Sequence, residues 1–192
     1  MWKKQNEIKQ LLERKIASLE NDYQRAFYKI PNIQFSPFPI ALYALANLDF
    51  FSGLWAGWND PKFKEKNGHI KNQTERMVKY LLLYFKYPEL ESKLLVTVFR
   101  HKLIHTSDPS ILYGDSNQIY TWAISPKNTY HMQLRYEDDT NRLHFGIENY
   151  IYDLNNAIFG KGNYFDHLLS SYQLQDKCIK CLKEMESYKF IP

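Results

Sequence analysis

The sequence predicts a mainly α-helical protein in which residues 1–192 form a single domain. Three observations predict this fold class. Apolar residues recur every three or four positions over most of the chain, which is the period of an amphipathic helix. Prolines and glycines divide the first part of the chain into four such segments, and an alternating pattern is confined to one later stretch. We therefore expect an antiparallel four-helix bundle over residues 1–110, a small antiparallel β-meander over 111–148 and C-terminal helices over 149–192.

The composition is that of a folded protein. The chain is 44% hydrophobic, 24% charged and 16% aromatic, with two cysteines and a formal net charge of +4. These values exclude a disordered chain and a disulfide-built scaffold, and the mild positive charge permits a nucleic-acid partner. The N-terminus has no apolar core typical of a signal peptide, and the most apolar stretch carries Asn47, Asp49 and Ser52 in its middle. We expect a cytoplasmic protein with no membrane contact.

The first two helices are expected to pack in different ways. Residues 2–29 place apolar side chains on one face, and Pro31 ends this helix. The stripe comprises Ile8, Leu12, Ile16, Leu19, Tyr23 and Phe27. Residues 40–56 are apolar on nearly all sides, which predicts a helix at the centre of the core, and Gly57 ends it.

Two further helices complete the predicted bundle. Residues 70–86 carry an apolar stripe, and Tyr87-Pro88 breaks this third helix. Its stripe comprises Met77, Val78, Leu81, Leu82 and Phe85. A fourth helix is expected over residues 89–105, where Pro88 stands just before the first turn and Thr106-Ser107-Asp108-Pro109 ends the pattern.

The pattern changes after the fourth helix. Residues 119–124, 130–136 and 142–147 are short segments rich in Tyr, Ile, Thr and Phe, separated by turn residues, and they predict the antiparallel meander. Helical spacing returns over residues 149–159 and, after a break at Gly160–Asn163, over 164–187. The insertion therefore lies before the last helices.

Arg100, His101 and His105 form a polar motif near the end of the fourth predicted helix. An arginine, an adjoining polar residue and a histidine after a gap of four, late in a helical bundle, resemble the signature of the HEPN superfamily, whose members are nucleotide-binding or RNA-cleaving helical domains. The resemblance implies a metal-independent endoribonuclease that needs no cofactor, with these three residues as its catalytic group. It also implies a homodimer that joins two motifs in one cleft, and a toxin or antiviral-defence effector partnered by an antitoxin or a defence-complex protein.

The residue types in the motif suit RNA cleavage. A histidine with a pKa near its ordinary value of about 6.5 can take the proton from a ribose 2′-hydroxyl at neutral pH. An arginine can neutralise the negative charge on the phosphate oxygens, and we assign this role to Arg100. We assign the role of general base to His105, and we expect His101 to orient the phosphate or the catalytic histidine. On an ideal α-helix His101 and His105 lie about 40° apart, whereas Arg100 and His105 are about 140° apart.

Other interpretations of the motif remain open. Arg100 and His101 could form a solvated basic face, with His105 favoured by the helix dipole. The chain would then be a non-catalytic HEPN-like assembly or binding subunit. His101 and His105 could instead hold a metal with Asp49 or Asp108, although the glutamate of a metalloprotease helix is absent from this position.

A basic strip precedes the motif helix in the sequence. Between residues 61 and 86, seven basic residues stand against two acidic ones. Those we expect to contact RNA are Lys62, Lys64, Lys66, Lys71 and Lys79. Phosphate contacts by these lysines and stacking on nearby aromatic side chains would hold a single strand, and a lysine-rich surface with no ligand is the alternative.

Asp49 is a carboxylate on a helix that is otherwise apolar. A buried carboxylate needs an ion pair or hydrogen bonds, so we expect Asp49 to have a partner. It could support His105 or Arg100 from behind, or it could bind a backbone group near Gly53 and serve the fold alone.

Cys178 and Cys181 form a lone Cys-x-x-Cys on a predicted helix. Zinc requires four ligands, and a redox pair requires a different context, so we interpret both cysteines as incidental and expect no metal.

Overall fold

The computed structural model describes residues 2–29, 36–57, 73–100, 113–115 and 118–187. Helix α1 spans Trp2–Gln24 and continues as a π-helical stretch over Arg25–Lys29. Its predicted stripe is buried from Ile8 to Tyr23, and Phe27 packs against the core while partly exposed. The first predicted helix is therefore confirmed over its full length.

Helix α2, Phe38–Ala56, lies at the centre of the protein. Ten of its residues are buried, and it contacts α1, α3 and two helices from the C-terminal part of the chain. Pro39 sits in the first turn, where its missing N–H costs no hydrogen bond. Gly57, with φ at 81°, ends the helix and donates its N–H to the carbonyl of Gly53 over 2.8 Å. The central position predicted from its all-round apolar surface is confirmed.

The third and fourth helices each begin as an α-helix and continue as a π-helix. Helix α3 spans Gln73–Tyr80 and continues as a π-helical stretch over Leu81–Phe85. Helix α4 spans Glu89–Lys93 and continues as a π-helical stretch over Leu94–Arg100. Lys86, in the left-handed conformation at φ 60°, ends the first of these units. The predicted residues 101–105 of the fourth helix lie outside the described ranges.

The sheet is mixed and not the antiparallel meander that the sequence predicted. The described residues contain β1 (Tyr113–Asp115), β2 (Gln118–Ser125), β3 (Leu134–Glu137) and β4 (Thr140–Gly146), in the order β1-β2-β4-β3. Strands β3 and β4 form an antiparallel hairpin, but β4 pairs with β2 in parallel. Strand β4 therefore lies between β2 and β3 in the sheet, although it follows both of them in the sequence. The β2–β3 connection crosses the position that β4 occupies.

The middle strand is shorter than predicted because a turn occupies its first half. Asn128 accepts a hydrogen bond from the backbone N–H of Tyr130 at 2.8 Å, and its own N–H donates to Asn149 Oδ1 at 3.0 Å. Met132 then adopts φ 57°, and its N–H donates to the carbonyl of His144 at 2.8 Å while the N–H of His144 donates to the carbonyl of Gln133 at 3.1 Å. Two residues thus oppose one on β4, and a bulge that follows the Asn128 turn stands where the regular strand was predicted.

The last segment forms three helices where the sequence predicted two. They are α5 (Ile147–Phe159), α6 (Tyr164–Ser170) and α7 (Tyr172–Ser187). The break falls at Ser171, which is extended and whose hydroxyl accepts the N–H of Leu174 at 3.3 Å. Gln175 Nε2 donates to the carbonyl of Leu168 at 2.8 Å. These two side chains satisfy backbone groups that a continuous helix would have paired internally.

The core joins the two ends of the chain. Helix α2 packs against α7 along its length, and α1 packs against α5. An antiparallel bundle built from α1 to α4 alone is therefore not confirmed, because α2 is apolar on every side and is also covered by C-terminal helices. Mainly helical architecture with a small sheet before the last helices is as predicted. Within the described part of the chain, none of the helices combines the length and apolarity that a membrane crossing requires.

Candidate functional site

The structure places the predicted motif only in part. Arg100 is the last residue of the π-helical stretch that continues α4, and this stretch contacts α2 and α3. His101 and His105 lie outside the described residues, and so do Lys62, Lys64, Lys66 and Lys71 of the basic strip. The Leu94–Arg100 stretch therefore lies against the two helices that carry Asp49 and Arg76.

Asp49 and Arg76 form a buried ion pair between α2 and α3. Arg76 Nη2 lies 2.5 Å from Asp49 Oδ1, and Arg76 Nε donates to Ser52 Oγ at 3.3 Å. The arginine side chain is fully buried and the Asp49 side chain is 19% exposed. The carboxylate thus has the partner that its position required, and that partner is Arg76. A charged arginine inside an apolar core depends on this carboxylate for compensation.

Lys79 is the one predicted RNA contact that lies within the described residues. Its Nζ is 2.5 Å from Glu75 Oε1, one turn earlier on α3, and both side chains are about half exposed. A pair of this kind contributes little to stability, so the ammonium group can turn toward another anion at small cost.

An open cleft of about 440 Å³, here called the lysine cleft, lies beside Lys79. The end of α2, helix α3 with its π-helical continuation, α6, and the start of α7 form its walls. Seven of its lining residues offer polar or aromatic groups: Trp55, Lys79, Tyr84, His167, Ser171, Gln173 and Lys177. Among the described residues that line the cleft there is no aspartate or glutamate. The cleft therefore combines two cationic groups with an aromatic wall.

Tyr84 and His167 meet inside the lysine cleft. The phenol oxygen of Tyr84 lies 3.3 Å from His167 Nδ1, and burial raises the pKa of Tyr84 to about 12. The phenol therefore keeps its proton at neutral pH. When it donates to Nδ1, the neutral imidazole of His167 carries its own proton on Nε2 and can donate it outward.

A second constellation joins the helical layer to the sheet. The hydroxyl of Tyr87 donates to Asp153 Oδ2 at 2.7 Å and lies 2.8 Å from His131 Nε2. The backbone N–H of Gly146 donates to His131 Nδ1 at 3.0 Å. Burial, together with the carboxylate of Asp153, raises the pKa of Tyr87 well above its ordinary value.

These contacts define the tautomer of the neutral His131 ring. Because Nδ1 accepts a backbone hydrogen bond, the proton of the neutral ring resides on Nε2 and points at Tyr87 and Asp153. The result is a chain of donors from Gly146 through His131 and Tyr87 to the carboxylate of Asp153. Each polar group of the chain is satisfied by the next, so the arrangement serves to fix α5 against the β2–β3 connection.

His144 on β4 is bound in a similar way. Its Nε2 lies 3.1 Å from Glu137 Oε1, and its Nδ1 lies 3.3 Å from the side-chain amide of Asn128. Glu137 also pairs with Arg135 at 3.2 Å. These bonds hold the β3–β4 hairpin together and leave His144 buried at the sheet.

Both cysteines lie in the core. Cys178 and Cys181 are fully buried and are not joined by a disulfide, and burial raises the pKa of Cys178 to about 11. A thiol with such a pKa stays protonated at neutral pH and is a poor metal ligand or nucleophile. The described residues contain no group of three or more His, Cys, Asp or Glu side chains arranged to hold a metal ion.

Sequence reasoning missed the lysine cleft and the Tyr87 constellation for one reason. Their members come from separate elements, and no fixed spacing connects them. Residues 84 and 167, or 87 and 153, are brought together only when the C-terminal helices pack on the N-terminal ones. One local signal was available, because Trp55 stands among apolar residues at the very end of a helix and so at an edge of the core.

Comparison of the chain with protein-family models, with curated protein sequences and with solved structures finds no match.

Proposed function

We propose that this chain is a metal-independent endoribonuclease of the HEPN type, with Arg100, His101 and His105 at its catalytic centre. The observation that carries the proposal is the winding of the helix that leads into the motif. Over Leu94–Arg100 the helix is π-helical. In a π-helix each residue bonds to the one five positions away, so residues five apart lie near one face. Five is the spacing of Arg100 and His105.

This winding answers a difficulty of the motif. On an α-helix the arginine and the histidine would point about 140° apart and could not share a phosphate. The described π-helical winding ends at Arg100, and its continuation over residues 101–105, which lie outside the described residues, would reduce that separation.

The packing of the same helix supports a rigid mount for the motif. The Leu94–Arg100 stretch rests on α2 and α3, and the Asp49–Arg76 ion pair ties those two helices to each other. In this proposal Asp49 acts on the site only by fixing α2 and α3. A catalytic group must be held within a fraction of an ångström, and a buried ion pair beneath it serves that requirement.

The chemistry follows from the residue types. His105 removes the proton from a ribose 2′-hydroxyl, and the resulting oxygen attacks the adjacent phosphorus. The bond from phosphorus to the 5′-oxygen breaks, and that oxygen takes up a proton. The products are a 2′,3′-cyclic phosphate and a 5′-hydroxyl end. Arg100 stabilises the charge that develops on the phosphate oxygens, and His101 orients the phosphate.

The proposal extends to assembly and setting. We expect four helices of a HEPN-like unit in α1 to α4, a cytoplasmic homodimer whose two motifs share a cleft, and RNA as the substrate. A toxin restrained by an antitoxin, or an effector of antiviral defence, is the setting in which such an activity would be held in check. The alternative is a HEPN-like subunit that binds or assembles without catalysis.

The test is cleavage of single-stranded RNA in EDTA by wild type and three variants. Arg100→Ala should reduce the rate about 10²–10³-fold and His105→Ala about 10²–10⁴-fold, with cyclic-phosphate ends in the wild-type products. Arg14→Ala is the matched control, because the Arg14 guanidinium donates to the Gln10 carbonyl of its own helix on the exposed face of α1. Its rate should equal that of wild type.

The results separate the candidate functions. Wild-type rates in both motif variants would refute the catalytic assignment. A requirement for a divalent ion would favour the metal site at His101 and His105. Absence of cleavage under all conditions, or a monomer in light scattering at micromolar concentration, would favour the non-catalytic subunit.

A further inference from the structure

We infer that the lysine cleft binds one nucleotide of a single-stranded RNA, with the base against Trp55 and the phosphate held by Lys79 and Lys177. The choice of RNA as the ligand rests on the proposed function, whereas the cleft itself is separate from the Arg100 motif. The inference is carried by charge, by the aromatic wall and by the hydrogen-bond donors of the cleft.

The charge of the cleft favours an anion. Lys79 from α3 and Lys177 from α7 line the same opening, and the described residues that line it include no carboxylate. The aliphatic stem of Lys177 lies against the end of α2, because its Cγ is 3.6 Å from the point where a side chain on Gly57 would begin. Lys79 is held at the rim by its pair with Glu75. Two ammonium groups from different helices of one cleft suit a phosphate, which each can bind as a point charge.

The aromatic wall favours a base. Trp55 is partly exposed, and its ring contacts Tyr80 at 6.1 Å and Tyr84 at 6.4 Å between centroids. These neighbours restrict the orientation of the indole, so its exposed part can contact a base with little loss of side-chain entropy on binding. Base stacking on an aromatic side chain is tolerant of sequence, as binding to single strands requires.

The cleft also offers hydrogen-bond donors beside its two lysines. His167 is exposed and can offer Nε2–H outward when Tyr84 donates to its Nδ1, and Ser171 adds a hydroxyl at the α6–α7 break. The volume of the cleft, about 440 Å³, lies in the range of small-molecule binding sites. Lys79 also belongs to the basic strip of residues 61–86, which continues the positive charge along the chain.

The experiment measures binding without cleavage. A short fluorescein-labelled RNA of mixed sequence, methylated at every 2′-oxygen, lacks the nucleophile and cannot be cut. Fluorescence anisotropy at several salt concentrations compares the full-length wild type with Lys177→Ala, Lys79→Ala and Trp55→Ala. Lys180→Ala is the matched control, since Lys180 is a surface lysine of the same helix α7, paired with Asp176 at 2.8 Å and outside the cleft.

Each cleft variant has its own expected signature. Lys177→Ala and Lys79→Ala should each weaken binding and reduce the slope of log affinity against log salt by about 0.7, the value for one phosphate contact in a single strand. Trp55→Ala should weaken binding about 5- to 100-fold with little change in that slope. Melting curves accompany all variants, and the two lysine variants, whose side chains lie at the rim, should melt with wild type.

Three outcomes would overturn the inference. Wild-type affinity in both lysine variants, or an equal loss in Lys180→Ala, would exclude the cleft as the site. Displacement of the oligonucleotide by AMP at equal concentration would replace RNA by a free nucleotide as the ligand. Cleavage of unmethylated RNA separates this inference from the proposed function. Cutting that is independent of Lys177 refutes the cleft alone, and Lys177-dependent binding without any cutting refutes the nuclease alone.

Discussion

The Asp49–Arg76 ion pair offers the sharpest test of how the helical core is held together. Asp49→Ala removes the carboxylate that faces a fully buried guanidinium. Breaking a buried pair from one side typically costs about 3–5 kcal/mol, because the remaining charge is left without compensation. Asp49 is 19% exposed, so water can reach the vacated position and we expect the low end, about 3 kcal/mol. For a chain of this length that loss lowers the melting temperature by roughly 6–12 °C.

The opposite substitution should be much milder. Arg76→Met fills the buried volume with an apolar side chain, and the partly exposed carboxylate of Asp49 can then hydrate. We expect a cost of about 1 kcal/mol or less, and the double variant should be more stable than Asp49→Ala alone. Urea denaturation of the four proteins measures this coupling through the midpoint, with the slope as a check that the denatured state is unchanged.

A surface pair of the same geometry provides the control. Glu75 and Lys79 are also 2.5 Å apart, but both are about half exposed. Glu75→Ala should cost less than about 0.5 kcal/mol. If Asp49→Ala and Glu75→Ala lower the urea midpoint equally, the burial of Arg76 does not determine how much the Asp49–Arg76 pair contributes to stability. If instead Asp49→Ala abolishes RNA cleavage without lowering the melting temperature, Asp49 acts in the catalytic site.

Four further predictions concern other parts of the molecule. In the folded protein Tyr84 keeps its proton to about pH 12, whereas an unfolded tyrosine loses it near pH 10.0. Between these two pH values the unfolded state binds fewer protons, so the free energy of unfolding should fall as the pH rises. Circular dichroism with absorbance at 295 nm follows this change. Cys178, whose pKa is about 11, should resist iodoacetamide at pH 8 in the folded protein and react only in denaturant; mass spectrometry that found rapid modification of the native chain would contradict its burial. Gly146→Ala would set a methyl group 2.2 Å from Asn149 Oδ1, so it should lower the melting temperature. Tyr87→Phe should cost about 1–2 kcal/mol of stability, because it breaks the hydrogen-bond chain to α5. A wild-type melting temperature in either variant would contradict these contacts.

The helical part of the fold could be predicted because its signals are local. The stripe from Ile8 to Tyr23 and the all-round apolar surface of α2 follow from side-chain periodicity, which the packing then respects. The break at Ser171 was missed because its cause is the distant bond from Gln175 to Leu168, which exists only after α6 and α7 have folded against each other. Periodicity carries no information of that kind.

The sheet and the sites could be predicted less well. Strand segments were found, but whether β4 runs parallel to β2 depends on which side the hairpin docks, and alternation is the same for both directions. The partner of Asp49 was required by its position, yet Arg76 lies 27 residues away and no pattern singled it out. The lysine cleft gathers residues from four elements, so its existence follows from packing alone.

The pairing of α2 with α7 and of α1 with α5 has a consequence for synthesis on the ribosome. Helix α2 is apolar on all sides, but α7, which covers part of it, begins at Tyr172 and is made well after α2 ends at Ala56. At ordinary rates of translation the interval is on the order of ten seconds, during which α2 lacks the cover that α7 provides. We therefore expect the nascent chain to engage chaperones over this interval and a chain cut after residue 110 to aggregate. An activity built on α4 would then appear only once the last turn of α7 has left the ribosome.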